Sequence, residues 1–148
     1  MEKLNIKIKK LKKEARIPTA GSDFAAGMDM YLCADTDSVA VEPGESVMLG
    51  TGLAMAIPAG CFGGIFARSG LACKQGLRPA NCVGVVDADY RGEVKVCITN
   101  DSKNRAVLKN GDRIAQMIVL PYPPVVFEEA DELPDTERGD GGFGHTGA

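Results

Sequence analysis

Apolar and polar side chains alternate over short runs through most of this chain. Between Asn5 and Lys9, Ile6 and Ile8 fall on one face, and the same period of two returns at Val94, Val96 and Ile98, interleaved with Lys95 and Cys97. A two-residue period is that of an extended strand with one wetter face. Further strands are expected over residues 28–32, 46–49, 53–57, 61–67, 82–86, 106–108 and 113–120, separated by turn signals at Pro43-Gly44, Pro58-Ala59-Gly60, Asn100-Asp101 and Asn110-Gly111. One short helix is expected over residues 70–74, with Ser69 as its cap and Gly76 closing it. Nothing supports a long helix or an internal repeat. Many short strands with regular turns predict an all-β jelly roll or barrel with one short helix.

The character changes after residue 120. Pro121, Pro123 and Pro124 disfavour helix and central strand. Residues 128–140 carry seven acidic groups against the single Arg138, and a glycine-rich run follows. Such a segment cannot build a core. The chain therefore reads as one domain, residues 1–148, of which 121–148 is an extended C-terminal arm. Arg138 and Phe143 among the glycines favour an arm that orders over a ligand or a neighbouring subunit over a frayed end.

Composition narrows the picture. Trp is absent and aromatics are 5 %, so the core must rest on Val, Ile, Leu, Met and Ala. The net charge of -3 argues against direct nucleic-acid binding, and a polyanionic ligand would need local cations. The seven basic groups in residues 1–16 read as a solvated edge strand guarded by lysines. No apolar run approaches a membrane span, and no apolar stretch follows the N-terminal lysines as in a secretory signal. Five cysteines without a C-x-x-C pair, beside one His, argue against a zinc site and read as mostly buried free thiols in a reducing cytoplasm.

Three segments could carry chemistry. In Ala67-Arg68-Ser69-Gly70, a strand ends in a cation and a hydroxyl at the start of a helix, a setting that suits phosphate. Between Gly84 and Glu93, a turn between two strands places Asp87, Asp89, Tyr90 and Arg91. Were the chain extended, both aspartates would share one side, either to accept a proton from water or to ligate Mg²⁺. A hairpin turn with solvated acids is the plainer reading of that segment alone. Gly111-Asp112-Arg113-Ile114-Ala115-Gln116 reads as a capped hairpin. The pattern Gly142-x-Gly144-x-x-Gly147 matches a dinucleotide fingerprint, but no helix can follow it at the chain end.

In order and spacing, these segments resemble the five motifs of the trimeric dUTPase family: Ala26 to Tyr31, Arg68 to Gly70, Asp87 to Gly92, Gly111 to Gln116, and Arg138 to Gly147. The resemblance implies a β jelly-roll (β-clip) homotrimer whose active sites draw on all three chains, the arm reaching a neighbour. It implies Mg²⁺-dependent hydrolysis of dUTP to dUMP and diphosphate, in the cytoplasm, which keeps uracil out of DNA and supplies dUMP for dTMP synthesis. Asp87 would be the general base for water attacking the α-phosphorus. Asn81 and the main chain around Gly84, Val85, Val86 and Lys95 would read uracil, Tyr90 would pack on the deoxyribose, and Phe143 would stack on the base. Arg68, Ser69, Gly70, Gln116, Arg138, Gly144, His145 and Thr146 would bind the phosphates. Asp29 would orient Arg68 or reach Mg²⁺ through water. Two residues depart from the family pattern: Ala67 stands where Pro is usual, and His145 where Ser is usual. A dCTP deaminase on the same fold would need a glutamate base for which no signature is found, and a non-catalytic dUTP-sensing module would not need Asp87.

Overall fold

The computed structural model describes residues 4–142. It contains twelve strands and one helix: β1 (Lys7–Lys10), β2 (Thr19–Ala20), β3 (Met28–Tyr31), β4 (Ser38–Val41), β5 (Ser46–Gly50), β6 (Leu53–Ala56), β7 (Cys61–Phe66), α1 (Ser69–Gln75), β8 (Leu77–Pro79), β9 (Val83–Val86), β10 (Lys95–Asn100), β11 (Ala106–Lys109) and β12 (Arg113–Pro121). They form a five-stranded sheet in the order β2-β3-β12-β7-β9, a three-stranded sheet β5-β10-β8, and the pairs β1-β6 and β11-β4. All pairings are antiparallel. The all-β jelly-roll expectation holds, and each expected strand is present with its ends moved by a residue or two.

One hydrophobic cluster joins the sheets. It includes Met30, Leu32, Val41, Leu49, Ile65, Leu77, Val96, Ile98, Ile114 and Met117. The buried apolar residues are aliphatic side chains, methionines and one cysteine, without an aromatic ring, as the composition requires. Each fully buried Leu, Ile, Val or Met is worth roughly 1.5–3 kcal/mol relative to exposure. In β10, Val96 and Ile98 are buried while Lys95 is exposed, so the alternation reads out as expected.

Polar groups that enter this core are satisfied. Asn100 is fully buried; its amide donates to the Val41 and Asn104 carbonyls at 2.9 and 2.8 Å, and its Oδ1 accepts from the Ser102 backbone and hydroxyl. Leaving those groups unpaired would cost about 1–3 kcal/mol each.

Several expectations are corrected. Ser69 does not cap α1: the cap position is Arg68, without a side-chain capping bond, and Ser69 opens the helix itself. Gly76 does end it, at φ 67° and ψ 20°, a left-handed conformation that costs glycine little. Gly111 to Gln116 is a turn but not a hairpin, because β11 pairs with β4 while β12 pairs with β3 and β7. Its cap is real: the Lys109 N–H donates to Asp112 Oδ2 at 2.7 Å. Of the five free cysteines only Cys33 is buried, whereas Cys73 and Cys82 are exposed. Beyond β12, residues 122–140 are exposed and form no strand or helix. No helix among the described residues is long and apolar enough to cross a membrane.

Candidate functional site

The candidate side chains lie along and just beyond β7. β9 is the edge strand of the large sheet and pairs only with β7, from Val83 opposite Phe66 to Val86 opposite Gly63, so Asp87 leaves it at the Gly63 end. The next strand, β10, belongs to the other sheet, and no ladder joins the two. The expected β9–β10 hairpin is thus absent. Neighbours in sequence part to different sheets, β9 to β7 and β10 to β5 and β8. Between them lies a cavity of about 120 Å³, lined by Ile65, Asn81, Gly84, Val85, Val86, Lys95, Val96 and Cys97. The five residues expected to read uracil, Asn81, Gly84, Val85, Val86 and Lys95, all line it. Cys82, beside Asn81, is the only non-glycine residue among those described with positive φ, at 62°. Such backbone costs on the order of 1–3 kcal/mol and tends to persist at functional sites.

A second, wider cavity of about 340 Å³ opens beside the first and is lined by Met48, Val85, Val86, Asp87, Tyr90, Glu93, Val94 and Lys95. Asp87 leaves β9 into a turn, closed by the Tyr90 N–H donating to the Asp87 carbonyl at 3.2 Å. The segment is therefore not extended, and the alternation that would set Asp87 and Asp89 on one side does not apply. Asp87 is exposed, and among the described residues nothing hydrogen-bonds its carboxylate. The Tyr90 hydroxyl donates to the Glu93 carbonyl at 2.9 Å, and Arg91 Nη1 binds the Ala88 and Tyr90 carbonyls at 2.6 and 2.9 Å.

At the other end of β7 the arrangement is ionic. Asp29, on β3 and 14 % exposed, accepts from Arg68 Nε at 2.7 Å and from Arg113 Nη1 at 3.2 Å. Gln116, on β12, donates from Nε2 to the Ala67 carbonyl at 2.8 Å, which fixes the residue before Arg68. The Gln116 amide packs where a side chain on Gly27 would otherwise sit. Ser69 and Gly70 follow Arg68 and are exposed. Arg68, Arg113 and Asp112 line a polar cavity of about 250 Å³. Asp29, Arg68 and Gln116 are thus brought together, with Asp29 clamping Arg68 and with Ser69 and Gly70 next to it in sequence. Arg138 is not: it is exposed in the arm, and its Nε donates to the Gly141 carbonyl at 2.7 Å. Phe143, Gly144, His145 and Thr146 lie outside the described residues.

Three residues at these sites were not singled out from the sequence. Met48 and Glu93 line the Asp87 cavity, and Arg113 shares Asp29. Arg113 carried one signal, a charge at the first position of a buried strand; Met48 and Glu93 carried none.

The two ends are far apart. Val86, next to Asp87, pairs with Gly63, five residues before Arg68. At about 3.3 Å per residue, Asp87 and Arg68 of one chain are separated by roughly 15–20 Å.

Comparison with known proteins gives the arrangement its context. Residues 13–147 match the dUTPase family model. The chain is 45 % identical over 147 residues to the deoxyuridine 5'-triphosphate nucleotidohydrolase of Syntrophotalea carbinolica, covering 99 % of each chain. It is 46 % identical over 143 residues to the enzyme of the same name from Corynebacterium glutamicum, covering 96 % of this chain and 94 % of that one. Among solved structures, a mutant of the Staphylococcus bacteriophage 80alpha dUTPase with dUpNHpp superposes with a TM-score of 0.84 at 28 % identity, covering 97 % of this chain and 99 % of that chain. With its family model matched over nearly the whole chain and its fold shared throughout, the protein belongs to the dUTPase family.

Proposed function

We propose that this protein hydrolyses dUTP to dUMP and diphosphate, with Asp87 as the general base. Family membership supports the reaction. The observation that carries the assignment of roles is the position of Asp87, a carboxylate without a partner among the described residues, beside a slot built by Asn81, Gly84, Val85, Val86 and Lys95. Uracil enters the slot and meets backbone donors and acceptors on strands that no ladder joins. Cytosine would leave buried groups unpaired, which binding sites reject strongly. Tyr90 lies against the deoxyribose, where a 2′-hydroxyl would collide with its ring. Asp87 accepts a proton from water as the water oxygen bonds to the α-phosphorus and the bond to diphosphate breaks. Arg68, Ser69, Gly70 and Gln116 hold the phosphates.

Roughly 15–20 Å of backbone separates Asp87 from Arg68 within a chain, a long reach for one triphosphate, and this favours a site formed between copies, as a homotrimer with closed symmetry would provide. The arm, exposed from residue 122 to 140, extends to a neighbour, with Arg138 carried to the phosphates and Phe143 to the base. Gly144, His145 and Thr146 follow to the phosphates.

The donor set bears on the metal. Among the described residues no group of three His, Cys, Asp or Glu side chains could hold an ion. Both Asp29 oxygens already face guanidinium groups. These residues fit Mg²⁺ held by the substrate's phosphates and water, with Asp29 reached only through water. Bound there, the ion supplies neutralisation of charge on the phosphate chain.

Hydrolysis of dUTP, dCTP, dTTP and UTP side by side, with diphosphate and ammonia both measured, tests the reading. Diphosphate from dUTP alone is expected, and ammonia from dCTP would refute it in favour of a deaminase. Asp87→Asn is expected to lower turnover by about 10²–10⁴-fold while dUTP still binds. Unchanged turnover in that variant would remove Asp87 from its role.

A further inference from the structure

The Asp87–Glu93 turn is closed upon itself, but its own hydrogen bonds do not say what holds it against the body of the domain. The Tyr90 ring folds back over Gly92, where even a methyl group would strike it, and its hydroxyl is held by the Glu93 carbonyl. The position of the ring therefore follows the position of Glu93.

Glu93 is anchored elsewhere. Its Oε1 accepts the Gly52 N–H at 2.8 Å, and its Oε2 lies 3.6 Å from Lys95 Nζ. The receiving bend is made for this contact. A Cβ on Gly50 would come within 2.5 Å of Glu93 Oε1, so the absence of a side chain there leaves room for the carboxylate. Gly52 turns at φ 66° where a side chain would strike Ala15 and Cys33, and its carbonyl accepts the Leu11 N–H at 2.8 Å, which holds the bend in place. The next residue, Val94, is 1 % exposed, and its N–H donates to the Leu53 carbonyl at 2.8 Å. A carboxylate is an unhelpful charge beside a site for a triphosphate, since like charges repel. Its presence here is explained by its bond to the bend rather than by contact with an anion.

We propose that Glu93 is a specificity-determining positioning residue: its carboxylate, seated in the Gly50–Gly52 bend, sets the height of the Tyr90 ring and so the rejection of a ribose 2′-hydroxyl. This rests on the reading of Tyr90 as the sugar-facing residue. The uracil slot is built by other residues, so sugar selectivity and base selectivity should separate.

The test compares kcat/KM for dUTP, UTP and dCTP in the full-length protein and in Glu93→Ala, Glu93→Gln and Tyr90→Ala. Glu93→Ala is expected to lower the dUTP-to-UTP ratio by about tenfold, as small displacements of positioning groups do, and to leave the dUTP-to-dCTP ratio within about twofold. Glu93→Gln keeps an oxygen acceptor for the Gly52 N–H and is expected to restore most of the sugar ratio. Should Glu93→Ala fail to fold, Gly50→Ala places a methyl in the carboxylate's seat with Glu93 intact, and the same loss of sugar ratio is expected. Both ratios falling together, or neither moving, overturns the proposal. A sugar ratio lost in Tyr90→Ala but kept in Glu93→Ala overturns it alone. An unchanged sugar ratio in Tyr90→Ala overturns the reading of Tyr90 and the proposal with it.

Discussion

The two ends of β7 solve the problem of placing functional groups in opposite ways. On the β9 side the proposed recognition rests on backbone: two strands divide between sheets and leave a slot, and the Asp87 carboxylate where β9 ends has no partner among the described residues. At the Arg68 end it depends on side chains, with one largely buried carboxylate gripping two arginines and an amide fixing the preceding carbonyl. The difference suits the ligands. A planar base is told apart by hydrogen bonds of fixed direction, which backbone provides without rotamer freedom. A phosphate chain asks for positive charge, and flexible cations need an anchor to present it. The anchored end is held in place by the chain itself, whereas the carboxylate proposed as the base has no partner among the described residues.

The sharpest way to break this comparison is to place the two ends on different molecules. Asp87→Asn and Arg68→Ala are each expected to be inactive alone. If the ends meet only between copies, refolding the two variants together in equal amounts should recover about a quarter of the wild-type activity, because that fraction of junctions pairs an intact base with an intact arginine. Diphosphate release from the mixture measures it. No recovery would mean that one chain supplies both groups, against the separation along β7.

A smaller effect is expected from the anchor. Asp29→Ala leaves Arg68 and Arg113 facing each other without their shared carboxylate, and both should swing toward solvent. We expect kcat/KM for dUTP to fall by about 10–100-fold, mostly through KM. Affinity for deoxyuridine, which has no phosphate, should stay within about twofold. Calorimetric titration with each ligand separates the two, and equal losses for both would show that Asp29 supports the whole fold rather than the phosphate end.

The contrast also explains what could be read from the sequence. Alternation marked β10 because Val96 and Ile98 face one continuous core, and Gly76 announced the end of α1 through its left-handed backbone. Strand β4 is hard to read because its four residues are too short a run to establish a period, and β8 because Pro79 argues against a strand. From the sequence alone the slot resembles a hairpin, for a physical reason. Adjacent strands usually pair, and the preference of β9 for β7 and of β10 for β5 is a non-local outcome that no window of sequence contains. Residue types marked Asp87, Arg68 and Gln116, but the ion pairs of Asp29 depend on β3 and β12 lying side by side. Glu93 was silent because its partner, the Gly52 N–H, is a backbone group 41 residues away.

The smallest effect is expected where the same chemistry is set in water. Lys12 Nζ and Asp35 Oδ1 lie 2.7 Å apart, as close as Arg68 and Asp29, but the Asp35 side chain is 92 % exposed. The hydrogen bond from Lys12, and then its charge, hold the Asp35 carboxyl below its usual range. The hydrogen bond to Asp35 likewise raises Lys12, against a smaller opposing effect of burial. A lowered carboxyl contributes stability above its unfolded pKa and loses it as pH falls through the folded value; a raised amine contributes below its unfolded pKa and loses it as pH rises through the folded one. The pair therefore contributes between roughly pH 4 and pH 10. Exposed pairs contribute little, so Asp35→Asn should lower Tm by no more than about 1–2 °C at pH 7, and by less in high salt. The difference should shrink as pH falls through the acidic range and the wild-type carboxyl takes up its proton, and dUTP hydrolysis at pH 7 should be unchanged. A Tm loss at pH 7 as large as that of Asp29→Ala would show that ion-pair distance, rather than burial, sets the value of these contacts, and the distinction drawn between the anchored end and the surface would fail.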